Sequence, residues 1–381
     1  MIIYGLTINN GGLLRVTESM FDIFDYLDED FPLRIVYFSE KKVEKLNEEL
    51  FIHQPWNQKD PDQLSDDGVE KIVKNIKRNL KDYTISRIIF ESSTYRYWKN
   101  FDCKKTLDIH ILEKPLYQTL ISNPRAALLD QVTPDSIYTL LVRMGLVSMK
   151  REVEALTSSD HLISNSKTTS RDLNSYYANI IEGKRIDLIP VTTEVSKLGD
   201  FQILSDTYQK NPKLIYFGRF HPQKGIHFLL ETNWKPMTLS IKGFEESLVS
   251  NKSLKKIEEQ GIRFINWTSE ATEIARDLSK QDFVIFPSLY EPFGLALSES
   301  LKLGKICIAH DNKSGHNEQI TNGINGYLID FNSKDFKSEI YKITQKPKEE
   351  LMQVSLNAKN GSFSTYQERL AAFAKMLKEI L

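Results

Sequence analysis

Cysteine is scarce: Cys103 and Cys307 are the two in 381 residues, far apart and without metal-ligand spacing. Neither a structural disulfide nor a zinc site is expected, and a reducing cytoplasm is the natural setting. An excess of one charge is also missing, with 50 Lys plus Arg against 51 Asp plus Glu. That removes the basic balance a nucleic-acid partner would favour. No apolar run is long enough to span a bilayer, and the opening Met1-Ile-Ile-Tyr-Gly-Leu-Thr-Ile-Asn-Asn stretch has no charged leader. Neither a membrane span nor a signal peptide is therefore expected. No internal repeat, low-complexity tract or acidic pair with metal-site spacing stands out. What remains is an ordinary globular composition, 40% hydrophobic and 27% charged, in a chain long enough for two separate cores.

Strand-like and helix-like stretches alternate. Ile2 to Ile8 reads as a first strand, the Asn9-Asn-Gly11-Gly12 turn breaks it, and Leu13 to Leu27 reads as a helix. Further strand-like runs cover Leu33 to Phe38, Ile85 to Phe90, Leu107 to Leu112 and His161 to Ser164. This alternation predicts a doubly wound parallel sheet. Val69 to Tyr83 is an amphipathic helix whose polar side carries Lys71, Lys74, Lys77, Arg78 and Lys81. Such a helix covers a sheet with a solvated basic face, or lies on an anionic membrane surface. A second series of strands starts at Leu214-Ile-Tyr-Phe-Gly-Arg219 and continues through Met237 to Gly243, Ile262 to Trp267, Asp282 to Phe286 and Lys305 to His310. The chain closes on an amphipathic helix over Phe363 to Leu381.

The most informative stretch is Asp282 to Glu299. Phe283 to Phe286 is too short for a helix and reads as a buried strand ended by Pro287. A helix is expected from Phe293 to Leu303, with Pro292 at its entry and Gly294 leaving the first turn bare. Free amides and the helix dipole make such a start an anion site. Glu291 precedes it, and Glu299 stands about five residues further, ~7.5 Å along the axis. A sugar, a diphosphate and a ribose in line would fit that order, since carboxylates take sugar hydroxyls well. The plainer alternative is an amphipathic helix with both glutamates solvated. Upstream, Arg219 and Lys224 flank the loop of Phe220-His-Pro-Gln-Lys-Gly225 at a strand's carboxyl end. There a guanidinium fork and a compact ammonium suit a diphosphate, or are simply surface charges.

Glu291-Pro-Phe-Gly-Leu-Ala-Leu-Ser-Glu299 closely resembles the paired-glutamate motif of the retaining family 4 glycosyltransferases. Gly218-Arg219 followed by Lys224-Gly225 resembles that family's second signature, at its expected separation from the first. The resemblance runs almost continuously through the second half and patchily through the first. Where the family usually has Asn-Gly after the proline of Asp187-Leu-Ile-Pro190, this chain has Val191-Thr192.

The resemblance implies the GT-B fold: two Rossmann-like, doubly wound α/β domains facing a central cleft, with the C-terminal helix crossing back to the first. The matching boundaries are residues 1–195 on the acceptor side, 196–362 for the donor nucleotide sugar, and 363–381 for the returning helix. It implies that Arg219 and Lys224 neutralise the leaving diphosphate and that Glu291 positions the transferred sugar. By the same resemblance the backbone at Phe293, Gly294 and Leu295 contacts sugar and diphosphate, and Glu299 holds the ribose. Gly11 and Gly12 occupy the place of the family's glycine-rich loop facing donor and acceptor. His110 occupies that of a histidine beside the bound sugar. His316 is read as a loop residue.

The implied activity is retaining transfer of a hexose-type sugar from a nucleotide diphosphate donor, most simply a UDP-sugar, to a saccharide or lipid-linked acceptor. Resembled bacterial proteins serve surface polysaccharide or glycolipid synthesis, which adds an expectation of cytoplasmic location with possible peripheral contact at the inner membrane face. Neither metal nor other cofactor is implied. The competing reading is a catalytically silent glycosyltransferase-like subunit that binds saccharide or a partner enzyme. A phosphorylase of the same architecture would need a lysine-anchored pyridoxal phosphate site, which nothing here resembles.

Overall fold

The computed structural model describes residues 1–7, 20–39, 42–43, 46–55, 64–123, 148–192, 202–219, 221–243, 258–266, 268, 271–361 and 365–381. Two compact units emerge: Met1–Pro115 with Val142–Val191 and Ser364–Leu381, and Leu116–Leu141 with Thr192–Phe363.

Among the described residues, the first unit is built on a seven-stranded, wholly parallel sheet. Its strands are β1 (Ile2–Thr7), β2 (Leu33–Ser39), β3 (Phe51–Pro55), β4 (Arg87–Glu91), β5 (Lys104–Ile109), β6 (His161–Ser164) and β7 (Arg185–Leu188), in the order β3-β2-β1-β4-β5-β6-β7. Every residue of β1 is buried, as expected of a strand covered on both faces. Successive side chains alternate between two cores. Ile3 joins Val36, Phe38, Ile88, Phe90 and Leu107 on one face, while Ile2, Tyr4 and Leu6 join Ile35, Tyr37 and Ile89 on the other.

That second face is covered by the C-terminal helix, Tyr366–Ile380, through Leu370, Phe373 and Leu377. Phe373 stacks on Tyr4 with ring centroids 5.3 Å apart. A capping box between Thr365 and Glu368 satisfies the amides that open this helix. The basic helix spans Asp66–Asn79, starts at an N-cap formed by Ser65, and buries Val69 and Ile76. Lys71, Lys74, Lys77, Arg78 and Lys81 are exposed.

Within the second unit, the described strands are β8 (Lys213–Phe217), β9 (Thr238–Lys242), β10 (Ile262–Ile265), β11 (Phe283–Phe286), β12 (Ile306–His310) and β13 (Tyr327–Ile329). They form a parallel sheet in the order β10-β9-β8-β11-β12-β13. Leu214, Tyr216, Phe283 and Ile285 face one core. Ile215, Phe217, Val284 and Phe286 face the other, where Leu297 and Leu301 of the Leu295–Lys302 helix pack.

Several local expectations shift. Met20–Tyr26 is a 3-10 helix instead of the end of an α-helix; residues 8–19, including Gly11 and Gly12, lie outside the described set. The expected helix from Phe293 begins instead at Leu295, because Gly294 takes φ 98° and serves as its N-cap. Strand β3 was not foreseen. Its sequence, Phe-Ile-His-Gln-Pro, is mixed in polarity and ends in proline, which suits the sheet edge where it lies.

Candidate active site

In open α/β sheets, ligands bind beyond the carboxyl ends of the strands where the strand order reverses. In the second unit that point falls between β8 and β11, since β9 and β10 continue to one side and β12 and β13 to the other. The loops leaving β8 and β11 carry Arg219 with Lys224, and Glu291, respectively.

Three contacts bind these loops together. The Gln223 side chain donates to the Tyr290 carbonyl at 2.9 Å, and the Leu289 amide donates to the Gln223 carbonyl at 2.8 Å. The Lys224 ammonium donates to the Glu291 carboxylate. Gly225 lets the loops close: it adopts φ 68°, and a Cβ there would strike the Pro287 carbonyl. Sixty-seven positions apart in sequence, Lys224 and Glu291 become a partly buried ion pair, with side chains 16% and 11% exposed.

Electrostatics follow from that closure. Burial alone would raise the Glu291 carboxyl, but Lys224, together with Arg219, outweighs it and holds the group below the usual carboxylate range. Arg219 itself is exposed, its carbonyl accepting from the buried Tyr216 hydroxyl at 2.7 Å. His221, between the two cations, is pushed down to about 4 by burial, Arg219 and Lys224. Its Nδ1 accepts from the Gln223 amide at 3.2 Å, which fixes the turn carrying Lys224.

Beyond Glu291, Gly294 opens the helix, and the Leu295, Ala296 and Leu297 amides of its first turn have no acceptor within the helix. Phe293 is held from the next loop, where the Gln319 side chain donates to its carbonyl at 2.6 Å. The Gly315 amide donates to the Glu291 carbonyl at 2.7 Å, and Asn312 donates to the Ser288 and Leu289 carbonyls. Glu299 is 4% exposed on the same helix. One turn later, the Lys302 ammonium donates to Thr192 at 2.6 Å. Arg219, Lys224, Glu291, Phe293, Gly294, Leu295 and Glu299 thus all belong to the second unit.

His110 belongs to the first unit, one residue beyond β5. One strand away in this sheet the order reverses between β1 and β4, whose last residues, Thr7 and Glu91, are joined by a hydrogen bond from the Thr7 hydroxyl. His110 Nε2 stands 3.6 Å from carboxylate oxygens of both Glu91 and Asp108, and Asp108 accepts from the Tyr4 hydroxyl. Burial raises the Glu91 carboxyl against the opposing effects of His110 and Thr7. Sequence reading missed Glu91; its signal was its place at the end of the strand next to β1. Among the described residues, no group of three or more His, Cys, Asp or Glu is arranged to hold a metal ion, and no helix is long and apolar enough to cross a membrane.

Residues 204–361 match the family model described as glycosyl transferases group 1. The matched segment contains Arg219, Lys224, Glu291 and Glu299. A curated relative from Streptococcus gordonii, the UDP-N-acetylglucosamine–peptide N-acetylglucosaminyltransferase GtfA subunit, is 24% identical over 275 residues, 61% of this chain and 53% of the relative. The chain spans about half the length of that relative. Sucrose-phosphate synthase from Thermosynechococcus elongatus is similar in structure, with a TM-score of 0.73 at 16% identity, covering 100% of this chain and 99% of its own. Anabaena HepE in complex with UDP-glucose gives 0.61 at 16% identity, covering 100% and 98%. The fold is GT-B.

Proposed function

We propose that the chain is a retaining glycosyltransferase that moves a hexose-type sugar from a nucleotide diphosphate sugar, most simply a UDP-sugar, to a saccharide or lipid-linked acceptor. Residues 196–362 take the donor and residues 1–195 the acceptor. The observation that carries this reading is the Lys224–Glu291 pair at the β8/β11 reversal, immediately before the bare first turn of the Leu295–Lys302 helix. A diphosphate there meets an ammonium, the Arg219 guanidinium and helix amides. These groups stabilise charge growing on the departing phosphate without having to reorganise.

Glu291 accepts from sugar hydroxyls and holds the anomeric carbon in place. Glu299 takes the ribose. His110, with Glu91 and Asp108 around it, orients the acceptor hydroxyl. The group 1 family match and the similarity to HepE, whose structure holds UDP-glucose, support a nucleotide-sugar donor. The products suit surface polysaccharide or glycolipid synthesis on the cytoplasmic side of a membrane.

The test incubates purified protein with nucleotide sugars and candidate acceptors, and reads product configuration by NMR. The expected outcome is a product with the donor's anomeric configuration, and loss of turnover in K224A and E291A. Intact nucleotide sugars throughout, or turnover untouched by either substitution, defeats the proposal. Failure of any nucleoside diphosphate to bind would favour the silent-subunit alternative.

A further inference from the structure

His316 is 1% exposed and takes no part in the chemistry described above. It stands in the helix Gly315–Gln319, on the loop that the Gly315 amide and the Gln319 side chain fasten to Glu291 and Phe293. The imidazole edge bearing Nε2 lies against Gly294. A Cβ on that glycine would sit 2.8 Å from His316 Cδ2, 3.0 Å from its Nε2 and 3.2 Å from Glu291 Cγ. Nε2 and the Glu291 side chain therefore border the same point beside Gly294. On the opposite edge, Nδ1 is buried with no hydrogen-bond partner among the described residues.

A buried N–H without an acceptor is the costlier orphan, so the proton belongs on Nε2. Phe286 packs on the ring at 5.7 Å between centroids. Burial, aided by Lys224 and His310 against Glu291, lowers the imidazole to about 4, so at neutral pH it is uncharged. The result is a neutral N–H donor beside a carboxylate acceptor.

We propose that His316 is a specificity-determining residue: its Nε2–H donates to a hydroxyl of the donor sugar while Glu291 accepts from another, which selects an uncharged, hydroxyl-bearing sugar over an anionic one. A sugar carboxylate would meet the like charge of Glu291 and an imidazole without charge to offset it. This rests on the donor assignment made above.

Calorimetric titration separates the two. The native chain is titrated with UDP and UDP-glucose, and with the matched guanosine and adenosine pairs should uridine not be taken. H316F keeps the ring volume without the donor, and H316Q restores an N–H. H316F should bind the nucleoside diphosphate as the native chain does but bind the nucleotide sugar roughly five- to tenfold more weakly, with H316Q recovering most of the loss. Equal weakening of both ligands, or of neither, overturns the role of His316 while leaving the donor assignment standing. Binding of no nucleoside diphosphate by the native chain overturns the assignment and the inference together. Should both variants unfold, the native chain still decides: it should prefer UDP-glucose to UDP-glucuronate, and the reverse preference overturns the proposal.

Discussion

Removing the Lys224 ammonium should have two separable effects, because the same group neutralises a buried carboxylate and faces the proposed diphosphate. Glu291 is 8% exposed, and Lys224 is the group whose ammonium it accepts from. Taking away one partner of a buried pair leaves the other charge uncompensated, at a cost of about 3 kcal/mol. In a unit of this size that lowers Tm by roughly 6–12 °C. The pH dependence gives the sign. In the native chain Glu291 is depressed below its ordinary value, so its contribution to stability is present above the unfolded carboxyl pKa and is lost as pH falls through the folded one. In K224A, burial, the largest influence on this carboxyl, is opposed by less. The deficit against the native chain should then be larger at pH 8 than at pH 4.5. E291Q, which keeps the shape and removes the charge, should destabilise less than K224A.

Ligand binding distinguishes the two variants further. K224A loses a charge-assisted bond to phosphate, worth about 1.5–3 kcal/mol, or roughly 10- to 100-fold in affinity for UDP. E291Q frees the lysine from its carboxylate, so UDP should bind as well as before or more tightly, while sugar transfer falls. Thermal unfolding at the two pH values and calorimetric titration with UDP read both effects. If E291Q weakens UDP as much as K224A does, or if K224A melts with the native chain at both pH values, the pair does not have the role assigned to it.

Three further outcomes follow from the same geometry. Gly294→Ala should abolish UDP-sugar binding, since φ 98° is strained for any side chain and the added Cβ meets His316 at 2.8 Å; titration calorimetry checks it. Glu152, buried among the Tyr177 hydroxyl and the Glu113 and Lys114 amides, is pushed up to about 7, chiefly by burial. Its contribution to stability is present below the unfolded carboxyl pKa and is lost as pH rises through about 7, so the melting temperature of the native chain should fall between pH 6 and 8 and that of E152Q should fall less. Phe373→Ala, which removes the ring stacked on Tyr4, should cost about 3–5 kcal/mol, read as a lower denaturant midpoint.

Much of the second sheet was legible because its signals are local. Phe283 to Phe286 and Ile306 to His310 are apolar runs closed by breakers, and the Glu291-to-Glu299 motif is contiguous. Arg219 and Lys224 were legible in the same way. What the sequence withheld was adjacency. Nothing in a linear reading places β8 beside β11, so the Lys224–Glu291 ion pair could not be foreseen as a contact. His316, read from the sequence as a loop residue, stands in the helix Gly315–Gln319, and its approach to Gly294 from beyond another strand is not visible in a linear reading. Glu91 was passed over because the hydrogen bond from Thr7 spans 84 positions.

Once the strand orders are known, the two reversal points can be compared by charge, and the comparison bears on which ligand each can hold. At β8/β11, the described side chains include Arg219 and Lys224 with the Glu291 carboxylate already neutralised by its lysine. The β1/β4 point brings the Glu91 and Asp108 carboxylates around a single imidazole. Two unit charges 4 Å apart interact by about 4 kcal/mol near a protein surface, enough to decide where a diphosphate settles. It is attracted to the first of these places and repelled from the second, whereas a neutral hydroxyl is welcome beside paired acceptors and an imidazole. On the proposed reading, the division of donor and acceptor between the units follows from the sign of the side chains gathered beyond these strands.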